Sequence, residues 1–308
     1  MIDIMDRKDF IRSTMLMAGV STVGGPLVRA ADPSAPAGHP VILKKSIGYD
    51  MIREDLSLTG KFKLAKDLGF DGLELNSPVD LDKSEILKAK EKSGIELPGV
   101  INKDHWKKPL SDPDPQVRAE CIRSVAQSLQ DVQDLGGDTV LVVPGVVNEK
   151  VPYEQAYHTS LDSIRKLIPY VEKTGIQIGL ENVWNNFLLS PVEARRFVDE
   201  INHPLIGWYF DVGNILRYGW PEHWIKTLNK RILKLHIKEF SRDLMNTKGL
   251  WAGFKVNLLE GDNNWPVVMK TIRSVNYSGG WIRAEVDGGD RTRLKDISER
   301  MDKIISYL

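Results

Sequence analysis

Glu181, Asp211, His236 and Glu285 each stand at or near the end of a short apolar run: Ile178-Gly179-Leu180-Glu181, Tyr209-Phe210-Asp211, Leu235-His236-Ile237 and Ala284-Glu285-Val286. Three carboxylates gathered with one imidazole repel one another unless a cation sits among them. Three hard oxygen donors and one nitrogen suit one divalent metal ion, Mn²⁺ first, with Mg²⁺, Co²⁺ or Zn²⁺ as further candidates. Taken singly, a strand-end Glu or Asp is more often a helix cap or ion-pair partner, and a His in an apolar strand more often a core residue. Four such residues on four successive runs point instead to a shared metal. Lys238 lies two residues past His236, on the same face of a strand of period two. It could hold a substrate hydroxyl, orient a carboxylate or form a structural ion pair. Glu74, Asn102 and His105 fall at or just past two earlier strand ends, as hydroxyl contacts or as turn and capping residues.

The elements that must position these residues follow from the hydrophobic pattern. Strands are predicted at Val41–Tyr49, Gly72–Asn76, Leu97–Asn102, Thr139–Pro144, Ile176–Glu181, Ile206–Asp211, Ile232–Lys238 and Trp281–Val286. Most are apolar at nearly every position, as in parallel strands buried on both faces. Between them lie helical patterns at Leu58–Leu68, Lys83–Lys92, Pro115–Leu135 and Glu154–Lys173, each followed by a glycine that suits a left-handed helix end. Ser190-Pro191-Val192-Glu193 has capping-box spacing and opens another helix, and Asp290–Leu308 is the last. Eight βα units predict an α/β fold, a (β/α)8 TIM barrel forming a single domain over residues 40–308. The Gly-x-Gly-x-x-Gly turn of a doubly wound nucleotide fold is absent. Barrel chemistry sits at the C-terminal ends of the strands, where the four candidate ligands fall. The connection from Phe240 to Asn264 is long enough to serve as a lid, and its Trp251 offers an aromatic wall for a ligand.

The chain has 308 residues, with 42 Lys+Arg balanced by 42 Asp+Glu. That neutrality argues against nucleic acid as a partner. A lone cysteine, Cys121, excludes an intramolecular disulfide and a cysteine-built metal site. Residues 1–31 read as a signal peptide: a charged start with Arg7-Lys8-Asp9-Phe10-Ile11, an uncharged stretch from Ser13 to Val28, and small residues at Ala30-Ala31. The Arg-Lys pair is similar to a twin-arginine signal. Residues 32–39, rich in Pro, Ala and Gly, form a linker. The expected location is therefore periplasmic, with no membrane contact after signal removal and with homo-oligomer formation left open.

The runs Gly179-Leu180-Glu181-Asn182, Phe210-Asp211-Val212-Gly213-Asn214, Leu235-His236-Ile237-Lys238-Glu239 and Leu259-Glu260-Gly261-Asp262 resemble the xylose isomerase-like TIM-barrel superfamily, in its sugar phosphate isomerase/epimerase branch. The resemblance spans essentially the whole chain from residue 40. It implies that Glu181, Asp211, His236 and Glu285 bind one divalent metal, and that Glu181 and Glu285 are the catalytic pair flanking a small carbohydrate substrate. It also implies a substrate-binding arginine six residues past the histidine, where Arg242 stands. Two positions depart from tagatose- and psicose-type epimerases: Asn214 replaces a sugar-contacting histidine, and Phe187 replaces a glutamate. Asn214 remains a candidate substrate contact, but the sugar cannot be copied from those enzymes. The implied reaction is proton abstraction next to a carbonyl through an enediolate, giving an isomerase or epimerase. Export favours an unphosphorylated sugar. A lyase eliminating a substituent from a keto-sugar is the second reading, and a non-catalytic exported sugar-binding module the third. A three-zinc DNA-repair endonuclease of the same fold needs more histidines at strand ends than this chain offers.

Overall fold

The computed structural model describes residues 41–308. The signal and linker readings at residues 1–31 and 32–39 lie outside the described residues. Eight parallel strands close in sequential order: β1 (Lys44–Gly48), β2 (Gly72–Ser77), β3 (Gly99–Asn102), β4 (Thr139–Val142), β5 (Gln177–Glu181), β6 (Ile206–Asp211), β7 (Ile232–Ile237) and β8 (Trp281–Ala284). The expected TIM barrel is therefore present. Among the described residues no helix is long and apolar enough to cross a membrane.

The helices are α1 (Leu58–Asp67), α2 (Lys83–Ser93), α3 (Pro115–Leu135), α4 (Tyr153–Arg165), α5 (Ile168–Thr174), α6 (Pro191–Ile201), α7 (Pro221–Leu228), α8 (Arg242–Lys248), α9 (Trp265–Ser274) and α10 (Arg291–Ile305). Ser190 forms the predicted capping box with Glu193, and Gly94, Gly136 and Gly175 end their helices in the left-handed region. The single helix expected over Glu154–Lys173 is two. Pro169 lacks the N–H that would continue the ladder and its ring clashes with the preceding turn, so α4 stops at Arg165 and α5 restarts with the proline in its first turn. The lid from Phe240 to Asn264 contains α8 and a 3₁₀ segment at Leu250–Phe254.

Strand parity separates two interiors. One set of alternate residues runs in register around the sheet: Leu75 with Val100, Val140 with Ile178 and Ile206, Phe210 with Leu235 and Ile282. These side chains belong to the hydrophobic core shared with the helices. The other parity fills the barrel and is largely polar: beside Leu141, the residues Ser46, Glu74, Tyr209, Lys234, His236 and Arg283 are all buried. Polar groups taken out of water need partners, and they find them across the barrel. Tyr209 Oη donates to Glu74 Oε1 at 3.0 Å, and Ser46 Oγ donates to the same oxygen at 3.2 Å. The barrel's lumen thus becomes a fixed polar support beneath the rim.

Candidate metal centre and active site

β5, β6 and β7, together with the residue just past β8, carry Glu181, Asp211, His236 and Glu285 to one rim. One donor atom from each lies within 4.8 Å of those from the other three. Parallel pairing accounts for this: Asp211 is in register with His236, and His236 with Arg283, two residues before Glu285. Asp211, Glu181 and His236 are buried, whereas Glu285 keeps an open face toward a cavity. His236 Nδ1 lies 2.7 Å from Glu181 Oε1 and 3.1 Å from Glu285 Oε2. Lys238 Nζ stands 2.8 Å from Glu285 Oε2 and 3.3 Å from Asp211 Oδ2. Gly213 makes room for that lysine, since a Cβ there would meet Lys238 Cγ at 2.2 Å.

The residues fit a divalent cation. Asp211 Oδ1 accepts the Asn214 N–H at 2.7 Å, but Oδ2 is buried without a hydrogen bond, and so is Glu285 Oε2. Two anionic oxygens whose contacts to Lys238 and His236 fall outside hydrogen-bond geometry, beside an imidazole nitrogen and a third carboxylate, form a hard-cation donor set. The charge balance says the same. Burial pushes Asp211 up to about 7, with Lys238 opposing and the neighbouring glutamates adding to the rise. Burial would raise Glu285 as well, but Lys238 and His236 hold it well below the usual carboxylate range. Burial acts against charge on Lys238, and Asp211 and Glu285 overcome it, so the ammonium is held more firmly than in a free lysine.

His236 is held from behind. Arg283 Nη1 lies 3.0 Å from Nε2, and Arg283 Nε is 3.8 Å from Glu74 Oε2. In the metal-free site a neutral ring with its proton on Nδ1 satisfies both Arg283 and Glu181, and ligation of a metal through Nδ1 requires that proton to leave. Burial lowers the ring's affinity for a second proton, but the carboxylates prevail and shift it upward. A doubly protonated ring would have to loosen the Arg283 contact.

Two positioning residues escape a reading by strand ends alone. Asn182 clamps β5 to β6: its Nδ2 donates to the Asp211 carbonyl at 2.7 Å, and its Oδ1 accepts from the Asp211 N–H at 2.9 Å and from Trp208 Nε1 at 3.0 Å. Glu239 anchors the lid, accepting from Leu259 N, Asn263 N and Trp265 Nε1 at 2.8–3.1 Å. Leu259 sits at φ 72°, a left-handed conformation a leucine rarely adopts, and Glu239 holds its N–H there. Both residues lie inside the quoted sequence runs, but their partners come from other segments, so no spacing reveals them.

Above the cluster opens a cavity of about 660 Å³. Glu181, Glu285, Lys238 and Asn214 line its polar part, and Trp106, Trp184, Trp251 and Phe254 its aromatic part. Of the expected substrate contacts, Lys238, Asn214 and Trp251 line this cavity. Other candidates are turned elsewhere. Arg242 Nε donates to the Leu216 carbonyl at 2.7 Å and Nη2 to the Gly219 carbonyl at 2.9 Å, so its guanidinium ties the lid to the β6–α7 connection. The Asn102 amide donates to Ser124 and Ser128 of α3. Glu74 belongs to the lumen network. His105 is buried and accepts from the Val143 N–H at 3.2 Å, while its neighbour Trp106 reaches the cavity. Burial lowers the His105 pKa to about 4, so the ring is neutral. Phe187 packs against Tyr153 and Phe197 in the core.

Residues 62–306 match the family model of the xylose isomerase-like TIM barrel, and the chain belongs to that family. Among curated proteins it is 22% identical over 170 residues to L-ribulose-5-phosphate 3-epimerase of Salmonella typhi, which covers 50% of this chain and 58% of that one. The chain thus aligns with somewhat over half the length of the curated relatives it matches. Among solved structures, a D-tagatose 3-epimerase-like protein superposes with TM-score 0.71 at 18% identity, covering 86% of this chain and 98% of that chain. The 3-keto-D-glucoside 4-epimerase of E. coli gives TM-score 0.71 at 14% identity, covering 86% and 99%. D-psicose 3-epimerase of Clostridium cellulolyticum gives 0.66 at 19%, covering 85% and 96%. The solved structures share the fold, and the relatives named are sugar epimerases.

Proposed function

We propose that this chain is a metal-dependent sugar epimerase or isomerase that abstracts the proton alpha to a carbonyl. The observation that carries this reading is the clustering of Glu181, Asp211, His236 and Glu285 at the floor of a cavity large enough for a sugar. A bound divalent cation, with Mn²⁺ the favoured ion, would supply a Lewis acid for the substrate carbonyl. Glu285 is held ionised by Lys238 and His236, so at neutral pH it presents the carboxylate form that a general base requires. Glu181 faces the same imidazole nitrogen from a different strand, which suits return of a proton to the substrate's other face. Lys238 and Asn214 orient hydroxyls beside the reacting carbon. Sugar epimerases among the relatives support the reaction class.

The favoured substrate is unphosphorylated. Among the described residues lining the cavity, the cations are Lys238, engaged by Asp211 and Glu285, and Lys255, 3.6 Å from Asp287. With Glu181, Glu239, Glu285 and Asp287 in the same lining, the cavity gathers no surplus positive charge for a phosphate dianion, which usually takes arginines or a helix N-terminus. An exported, periplasmic location agrees with this preference and rests on residues 1–31 alone. To test the reaction class, the chelator-stripped protein is reloaded with Mn²⁺ and incubated with a ketose panel, and products are separated by chromatography. Epimers or isomers formed by the wild type and lost in Glu285→Gln support an enzyme. Sugar binding without turnover in either protein refutes it in favour of a binding module.

A further inference from the structure

A full cation stands directly behind the imidazole of the candidate metal centre. Arg283 is buried, and its Nη1 lies 3.0 Å from His236 Nε2. A ligating histidine ordinarily has a carboxylate, a carbonyl or a water on that side, which strengthens the ring as a donor. A guanidinium there does the reverse, and its charge opposes a metal on the far side of the ring. The hydrogen bonding conflicts as well. His236 Nδ1 faces Glu181 and Glu285, so a metal would meet Nδ1. A neutral ring then carries its proton on Nε2, and that N–H points at the N–H of Arg283, donor against donor.

Glu74 resolves both conflicts. Among the described residues it supplies the one carboxylate within 4 Å of the Arg283 guanidinium, with Oε2 3.8 Å from Nε. That Nε is buried without a hydrogen bond, so a small turn of the guanidinium toward Glu74 would satisfy it and release His236. Burial acts against the charge on Arg283, and Glu74 leads the carboxylates that sustain it, ahead of Glu285 and Asp50. Glu74 is itself fixed by neutral donors. Tyr209 Oη lies 3.0 Å and 3.2 Å from its two oxygens, and Ser46 Oγ lies 3.2 Å from Oε1. The Tyr209 ring in turn packs on the His236 ring, 4.2 Å between centroids. Glu74 on β2 thus reaches His236 on β7 by two routes, the edge through Arg283 and the face through Tyr209.

We propose that Glu74 is a positioning residue of the metal centre: it neutralises Arg283 behind His236 and draws the guanidinium aside, so that the ring can ligate. This rests on the metal-centre reading of Glu181, Asp211, His236 and Glu285. Glu74 touches neither metal nor substrate and acts only through Arg283 and Tyr209.

Calorimetric titration of the chelator-stripped protein with Mn²⁺ tests this without reference to activity. Glu74→Gln keeps an oxygen for Tyr209 and Ser46 but leaves the Arg283 charge unopposed. Its Mn²⁺ affinity should fall roughly tenfold to a hundredfold, the usual effect of removing a group behind a metal ligand. Adding Arg283→Met removes the stranded charge and should recover most of that loss, whereas a packing role alone would deepen it. Tyr209→Phe keeps both charges and should bind Mn²⁺ within about threefold of the wild type. A Glu74→Gln affinity equal to that of the wild type, a double variant no tighter than Glu74→Gln, or a Tyr209→Phe loss as large as that of Glu74→Gln would overturn the proposal. If Glu74→Gln does not fold, the double variant decides alone, because it buries neither charge of the pair; a loss in it beyond about a hundredfold would overturn the proposal. Failure of the two readings is distinguishable: a wild type that binds no Mn²⁺ counts against the metal centre, whereas wild-type binding left unchanged by Glu74→Gln counts against Glu74.

Discussion

If Asp211 is a ligand, metal binding must compete with a proton in the neutral pH range. Burial raises Asp211 to about 7 in the metal-free protein, and a divalent cation takes the carboxylate form. A single competing proton weakens apparent affinity by the factor 1 + 10^(pKa − pH). With a pKa near 7 this is about elevenfold at pH 6, about twofold at pH 7 and close to one at pH 8. Mn²⁺ affinity should therefore rise about tenfold from pH 6 to pH 8, and more if the upward-shifted His236 also releases a proton. The sign follows from the raised pKa: the folded protein retains a proton that an ordinary aspartate would have lost. Titration calorimetry in two buffers of different ionisation enthalpy measures both the affinity and the protons released. Lys238→Met removes a cation that stabilises the carboxylate, so its transition should move to higher pH. An affinity flat from pH 6 to pH 8, with no proton released at pH 6, would refute the reasoning.

Three further outcomes follow from the packing around the site. Asn182→Ala leaves Trp208 Nε1 and the Asp211 N–H and carbonyl without partners, a loss of about 3–5 kcal/mol in urea unfolding, with metal affinity down roughly tenfold to a hundredfold; a loss below about 1 kcal/mol would contradict the clamp. Glu239→Ala frees the backbone donors of Leu259 and Asn263, so hydrogen exchange over 259–263 should accelerate while the strands stay protected. Cys121 is fully buried with its thiol pushed up to about 12, so it should resist thiol reagents in the native protein and react on unfolding; fast native labelling would contradict its placement.

The sequence makes the barrel legible because each strand is short, apolar and closed by a turn or cap signal, and the barrel rule then points at strand ends. Glu181, Asp211, His236 and Glu285 needed nothing more than period two and that rule. The split at Pro169 was readable in principle, but a helical pattern of apolar residues continues across it and masks the break. α7 and α9 are short helices, of 8 and 10 residues, each entered through a Trp-Pro pair, so their apolar stripes cover only two or three turns and are easily read as part of the neighbouring runs. Side-chain direction was the harder quantity. Arg242 and Asn102 have suitable types near the rim, but carbonyls of the β6–α7 connection and hydroxyls of α3 capture them. Asn182 and Glu239 act through partners on other segments, which only the closed barrel brings near.

The central claim is that Glu181 and Glu285 exchange a carbon-bound proton of a carbonyl sugar at a metal-loaded site. The most direct measurement is uptake of solvent deuterium. The Mn²⁺-loaded protein is incubated in D₂O with a panel of ketoses, glycosylated ketoses and ring-oxidised keto-sugars, and each sugar is recovered and weighed by mass spectrometry. The account predicts one deuterium gained at the carbon alpha to the carbonyl of at least one panel member, lost on chelation and in Glu285→Gln. It holds whether the end product is an epimer, an isomer or an eliminated fragment, since each begins with the same abstraction. No deuterium uptake by any panel member, with the metal bound and the protein folded, would contradict it.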